Sequence, residues 1–311
     1  MSNFDNLAIF KLCSICEKDK THPAWCHECG TMYFKKNFVN WTSGNQKIDE
    51  IIKETQMNSK FATDFVEWIP YKQFEKIEKI SYGGFGTIYS AIWKQGPLRM
   101  IRKEFKRTKR IQVALKGGIS PENLKELRMH IKCCTTSNIY ASFSHKYKIG
   151  RSPILRCYGL TKRPISEDND EYMLVIQFAK DGDLLKYLSK NFKLMKWFED
   201  KLPLLAHIAY GIKIIHKEGL THRDLHCGNI LINNNISYIS DFGLSQPYDH
   251  ENSITHKLFG ASDNILMSQS IQDAEHLIMQ NTFNSLYSKI DLSLISTTNT
   301  DQINLEIDDD L

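Results

Sequence analysis

A chain of 311 residues is too long for one small domain and suits a large bilobal unit or two to three modules. With 41% hydrophobic and 11% aromatic residues against 24% charged, it can bury a sizeable core, which excludes global disorder and collagen-like or low-complexity classes. The net charge of +4 is too small to argue for nucleic acid, and it is uneven: nine acidic residues and one lysine in residues 261–311 put −8 in the tail and leave +12 on residues 1–260.

No run approaches the ~18 apolar residues of a bilayer span, and the N-terminus lacks the cationic start and small-residue site of a signal peptide. A cytoplasmic protein with reduced thiols is the expectation for its eight cysteines. Four of them form Cys13-x2-Cys16 and Cys26-x2-Cys29. Two such knuckles supply the tetrahedral thiolate shell that zinc prefers, with His22 and His27 as spare ligands, and residues 1–44 are too few to be stable without such a staple. This predicts a zinc-ribbon-like module.

From Asn45 to Ile69 the apolar residues Ile48, Ile51, Ile52, Phe61 and Phe65 read as a helical connector, assigned to residues 45–73. After Pro70 come short β-rich runs, Ile77 to Ala91, Val113 to Lys116 and Tyr172 to Phe178, which predict a small antiparallel sheet. Between them, Pro97 to Arg110 carries seven Lys or Arg residues against Glu104 and reads as a solvated insertion between two strands. Leu202 to His216 places Leu205, Ile208, Ala209, Ile212 and Ile215 at helical spacing, with Pro203 near the start and Gly219 past the end: a buried helix. Sheet first and helices later is an α+β order.

Ser81, Gly83, Gly84, Phe85, Gly86 and Ile88 lie in a glycine-rich hairpin, where backbone can approach phosphates. Ala114 and Lys116 follow on a strand. There the ammonium can reach an α- or β-phosphate and an acidic partner on a helix, which by order and spacing is Glu126. His222-Arg223-Asp224-Leu225-His226-Cys227-Gly228-Asn229 comes next, and Asp241-Phe242-Gly243 begins twelve residues after Asn229.

This ordered set resembles the protein kinase superfamily over Phe74 to Gly260. The resemblance implies a bilobal protein-kinase-like fold, with an N-lobe over 74–179 and a partial C-lobe over 180–260. It implies ATP and Mg²⁺, with Lys116 orienting phosphates, Asp224 as base, and Asn229 and Asp241 as magnesium ligands. Ile176 resembles the gatekeeper, Gln177 and Ala179 would offer backbone groups to adenine, and Asp183 falls where the family contacts ribose. The HRDLHxGN loop, the GGFGTIY loop, the CxxC module and the stretches 41–45 and 67–71 resemble an expanded fungal group of tyrosine-kinase-like kinases.

The sequence departs from the family pattern in several places. Ser81 replaces the first loop glycine. Only ten residues separate Lys116 from Glu126, and His226 stands where lysine or alanine would indicate serine/threonine or tyrosine specificity. No APE motif follows His256 to Gly260, so an incomplete C-lobe and an acidic, serine-containing tail over 261–311 are expected. The expected function is γ-phosphoryl transfer to protein serine or threonine, with tyrosine as a further acceptor, in signalling; its partners are a protein substrate or signalling protein. The alternative is a catalytically weak or inactive nucleotide-binding adaptor. No reading helix or stacking surface supports nucleic acid as a partner.

Overall fold

The computed structural model describes residues 12–22, 25–83, 86–101, 104–120, 124–141, 152–166 and 169–247. Expectations for Gly84, Phe85 and the tail beyond residue 247 lie outside the described residues.

The N-terminal head begins with a knuckle in which the Cys13 carbonyl accepts the Glu17 N–H and the Cys13 N–H donates to Lys18. Helix α1 (His27–Asn37) starts directly after Cys26. Helix α2 (Gln46–Met57) opens at Asn45, whose side chain caps the N–H groups of Lys47 and Ile48. It ends at Met57, well short of Ile69, so Phe65 lies beyond the helix and packs with Trp25, Phe34 and Leu98 in the head's own core. Ile48, Ile51 and Ile52 instead join a cluster with Leu127, Leu155, Leu160 and Leu174.

Strand β1 (Glu67–Trp68) leads to β2 (Phe74–Gly83) and β3 (Gly86–Trp93). The predicted solvated insertion is a hairpin, β4 (Leu98–Ile101) and β5 (Glu104–Arg107), and only one face of it is solvated. Leu98 is 2% exposed and Phe105 stacks on Tyr33 at 4.4 Å, because strand alternation puts Leu98, Met100 and Phe105 on the face toward the head and Arg99, Glu104 and Lys106 on the other, while Arg107, opposite Leu98, pairs with Glu67. Next come β6 (Ile111–Ile119), helix α3 (Lys125–Ala141), β7 (Cys157–Ser166) and β8 (Asn169–Gln177). The main sheet has the order β1-β7-β8-β6-β3-β2. It is antiparallel except where β1 pairs parallel with β7, so the expectation of a wholly antiparallel sheet fails at that edge: the two-residue β1 was not visible as a strand.

Helix α4 (Leu184–Asn191), a π-helical turn over Trp197–Lys201 and helix α5 (Leu202–Lys217) follow. Gly219, at φ +68°, ends α5. Within α5, Leu204, Ile212, Ile214 and Ile215 are buried, whereas Leu205, expected inside, is 40% exposed. The described chain closes with β9 (Leu220–Thr221), the hairpin β10 (Ile230–Asn233) and β11 (Ile236–Ile239), and β12 (Gln246–Pro247), which pairs with β9. No helix among the described residues is long and apolar enough to cross a membrane.

Candidate nucleotide site and cysteine cluster

Lys116 sits at the centre of sheet strand β6, opposite Ile88 on β3 and Leu174 on β8. Its side chain is 6% exposed, and its Nζ donates to Glu126 Oε1 at 2.6 Å and to Asp241 Oδ1 at 2.8 Å. Burial alone would lower the ammonium's pKa; the two carboxylates outweigh it and hold the pKa above the ordinary lysine value. Glu126 lies in the first turn of α3, so the short connection after Lys116 still brings the pair together. Lys132 and Thr136, further along α3, hydrogen-bond Glu218 at the end of α5.

The twelve-residue spacing between Asn229 and Asp241 is that of a tight hairpin. Asn234 and Asn235 both have positive φ, 54° and 61°, the pair of values a type I′ turn requires, and Ile230 pairs with Ile239. The strand ends are thereby adjacent. Ser240 donates both its N–H and its hydroxyl to the Asn229 carbonyl, at 3.0 Å each. Asn229 Nδ2 donates to Asp224, to the backbone oxygen at 2.8 Å and to Oδ2 at 2.9 Å. With its nitrogen so used, the amide presents oxygen as its remaining ligand atom. That oxygen and the Asp241 carboxylate are hard donors that fit Mg²⁺.

His222 is buried, and burial lowers its pKa. Its Nδ1 accepts the Asp224 N–H at 3.3 Å, which leaves the ring proton on Nε2, facing the Ser240 carbonyl at 3.0 Å. Phe242 is fully buried, with its ring 5.4 Å from that of His222 and stacked at 5.0 Å on His130. Burial pushes His130 down to about 4, so it is a neutral, flat partner for the phenyl ring. Arg223 and Asp241 both have φ of +64°, a conformation costly for non-glycine residues.

Around the expected adenine edge, Ala114 is buried and pairs with Ile176. The Gln177 N–H donates to the Arg156 carbonyl and the Ala179 carbonyl accepts the Gly182 N–H, so these bonds do not use the Gln177 carbonyl or the Ala179 N–H. Asp183 caps α4: its Oδ1 accepts the Lys186 N–H and its Oδ2 pairs with the Lys186 ammonium at 2.8 Å. In the glycine-rich hairpin, Ser81 is exposed opposite half-buried Ile88, and Gly83 pairs with Gly86. Gly86 has φ +116°, and a Cβ there would lie 2.6 Å from the Gly117 carbonyl oxygen, so β3 can approach β6 only with glycine at this position.

The family model for protein tyrosine and serine/threonine kinases matches residues 74–264, more than half of the chain. The chain belongs to this protein kinase family. Serine/threonine-protein kinase cds1 of Schizosaccharomyces pombe is 39% identical over 83 residues, 26% of this chain and 18% of that protein. Wee1-like protein kinase 1-B of Xenopus laevis is 27% identical over 186 residues, 58% of this chain and 25% of that protein. Serine/threonine-protein kinase PLK4 of Nematostella vectensis is 25% identical over 194 residues, 61% of this chain and 16% of that protein. The matched part thus spans a quarter or less of these relatives' length.

Outside the matched kinase region, the Sγ atoms of Cys13, Cys16, Cys26 and Cys29 all lie within 4.8 Å of one another. Cys13 and Cys29 are 3.7 Å apart and Cys16 and Cys26 3.5 Å. A zinc tetrahedron with bonds of about 2.3 Å has sulfur–sulfur edges of about 3.8 Å, so the donor set fits the ion. His22 and His27 are not part of the cluster: His22 lies edge-on to Phe61, and His27 Nδ1 faces the Ser59 carbonyl at 2.9 Å. Despite its burial, Cys13 is held at about 6 by the backbone N–H groups of Cys16 and Ile15, whereas burial raises Cys26 and Cys29.

Sequence reasoning missed Ser240 and His130 in the kinase site. His130 was detectable, since it stands four residues after Glu126 and so shares its helix face.

Proposed function

We propose that the protein is an ATP-dependent protein kinase that transfers the γ-phosphoryl group to a serine or threonine hydroxyl of a protein substrate, in a signalling role. The observation carrying this reading is Lys116 held between Glu126 and Asp241, with Asp224 and Asn229 at the adjoining hairpin. The serine/threonine assignment is supported by the names of cds1 and PLK4. The catalytic-loop motif supports a place in the tyrosine-kinase-like branch.

Lys116 orients the α- and β-phosphates under the Ser81 to Ile88 hairpin, while Gln177 and Ala179 offer backbone groups to adenine. Asp183, an α4 cap, presents its carboxylate edge to ribose. Asp224 takes the hydroxyl proton as the acceptor oxygen bonds to the γ-phosphorus, and the bond from that phosphorus to the β-phosphate oxygen breaks, its electron pair leaving with ADP. Asn229 and Asp241 would hold Mg²⁺, which when bound neutralises phosphate charge. The four-cysteine head would hold structural zinc. None of the eight cysteines is paired in a disulfide, and four of them are the proposed zinc ligands, a usage that supports a cytoplasmic protein.

The test is phosphate transfer from radiolabelled ATP to a generic protein substrate. Incorporation that Asp224→Asn and Lys116→Met abolish supports the reading; equal incorporation by wild type and both variants overturns it.

A further inference from the structure

The catalytic loop carries a histidine that the roles above leave unused. His226 is half-exposed beside the base, with its Nε2 3.8 Å from Asp224 Oδ1. Its orientation is built in. The Gly228 N–H donates to His226 Nδ1 at 3.0 Å, and the Asn229 N–H donates to the His226 carbonyl at 2.9 Å, closing a tight turn. The Cε1–Nδ1 edge of the imidazole abuts Gly228, where a Cβ would fall 2.7 Å from the ring's Cε1. Because Nδ1 is an acceptor, the neutral ring carries its proton on Nε2, the nitrogen facing the base.

The carboxylate opposite is equally defined. Asp224 Oδ2 accepts from Asn229, so Oδ1 is the oxygen facing His226. A separation of 3.8 Å is too long for a hydrogen bond between the two. It suits one oxygen atom placed about 2.8 Å from each, a normal hydrogen-bond length. A hydroxyl there would donate its proton to Oδ1 and accept from Nε2–H, leaving its second lone pair for phosphorus.

We infer that His226 contacts the acceptor, clamping the substrate hydroxyl between its Nε2–H and Asp224 Oδ1, with Gly228 present to seat the ring. The inference rests on the kinase reading above. An N–H donated to the attacking oxygen weakens as that oxygen gives up electron density, so its contribution lies in holding acceptor rather than in stabilising the transition state.

The experiment is steady-state kinetics of the full chain with a peptide acceptor, together with equilibrium Mg-ATP binding. His226→Ala is expected to raise the acceptor KM by about fivefold to tenfold, the range of one neutral hydrogen bond, with Mg-ATP affinity unchanged and kcat altered less than twofold. His226→Gln, which restores an N–H donor, should recover most of the loss, and Gly228→Ala, which displaces the ring while keeping it, should resemble His226→Ala. An acceptor KM unchanged in His226→Ala, or a uniform fall in kcat and ATP affinity that glutamine does not rescue, overturns the assignment while the kinase reading stands. A wild-type chain that binds Mg-ATP but transfers no phosphate overturns both.

Discussion

Replacing Glu126 with glutamine tests whether Lys116 is held by two carboxylates acting together. Removing one member of a buried ion pair ordinarily costs about 3–5 kcal/mol, because a desolvated charge is stranded. Here Asp241 Oδ1 remains 2.8 Å from the ammonium, so Lys116 is not stranded. Glu126→Gln should therefore cost about 1.5–3 kcal/mol, the value of one hydrogen bond to a charged group, and Asp241→Asn should cost a similar amount. The double variant removes both carboxylates from the 6%-exposed lysine, so its loss should exceed the sum of the singles by about 0.5–3 kcal/mol. Urea unfolding followed by tryptophan fluorescence measures all four corners of the cycle.

The pH dependence supplies an independent sign. The folded pKa of Lys116 is raised above 10.5, so the pair's contribution is fully present below that value and is lost as pH rises through the folded pKa. In the double variant the two carboxylates that raise the pKa are gone, burial pulls the folded value down relative to the wild type, and the loss of stability with rising pH should shrink or reverse. Additive single losses, or a double variant whose stability falls with pH as the wild type's does, would refute the two-carboxylate account.

Cys16→Ser should lower bound zinc from one ion per chain to none and make the head protease-sensitive, as read by elemental analysis and limited proteolysis, because metal binding and folding are coupled in such modules. Gly86→Ala should destabilise by about 1–3 kcal/mol and weaken Mg-ATP binding in a thermal-shift titration, since the new Cβ meets the Gly117 carbonyl at a positive φ. Phe242→Ala should cost about 3–5 kcal/mol in urea unfolding. In that variant the His130 pKa should rise from about 4 toward its ordinary value as water enters, a shift that histidine NMR titration reads directly.

Which polar residues gather in space was legible because residue identity in a fixed order marks them. Lys116, Glu126, Asp224, Asn229 and Asp241 could be named without coordinates, and geometry added how Asn229 and Asp241 meet, through Ser240. The packing around the head was not legible. Phe61 and Phe65 follow α2 at spacings that extend its pattern, yet the helix ends at Met57 and Phe65 turns into the Trp25 cluster. The hairpin from Leu98 to Arg107 was hidden by its charges: alternation gives it one apolar face, but five basic residues dominate any average over the stretch. Strand β1, only two residues long, exists because β7 accepts it, a tertiary effect with no local signal.

These failures have a common physical cause, visible at the Glu67 carboxylate. Glu67 is 6% exposed and pairs with Arg107 at 2.6 Å, while its backbone runs alongside Gly159. A Cβ at residue 159 would overlap the Glu67 carbonyl oxygen, so the close approach of β1 to the kinase sheet depends on that glycine. One side of Glu67 thus belongs to the sheet and the other to a hairpin whose apolar face covers the cysteine head. A reading that divides the chain by composition assigns these contacts to separate modules, because each stretch looks locally self-contained. The buried carboxylate joins the two stretches. Its desolvation is offset only when hairpin and sheet are both in place, so the extension's structure is specified by residues of the kinase region as much as by its own.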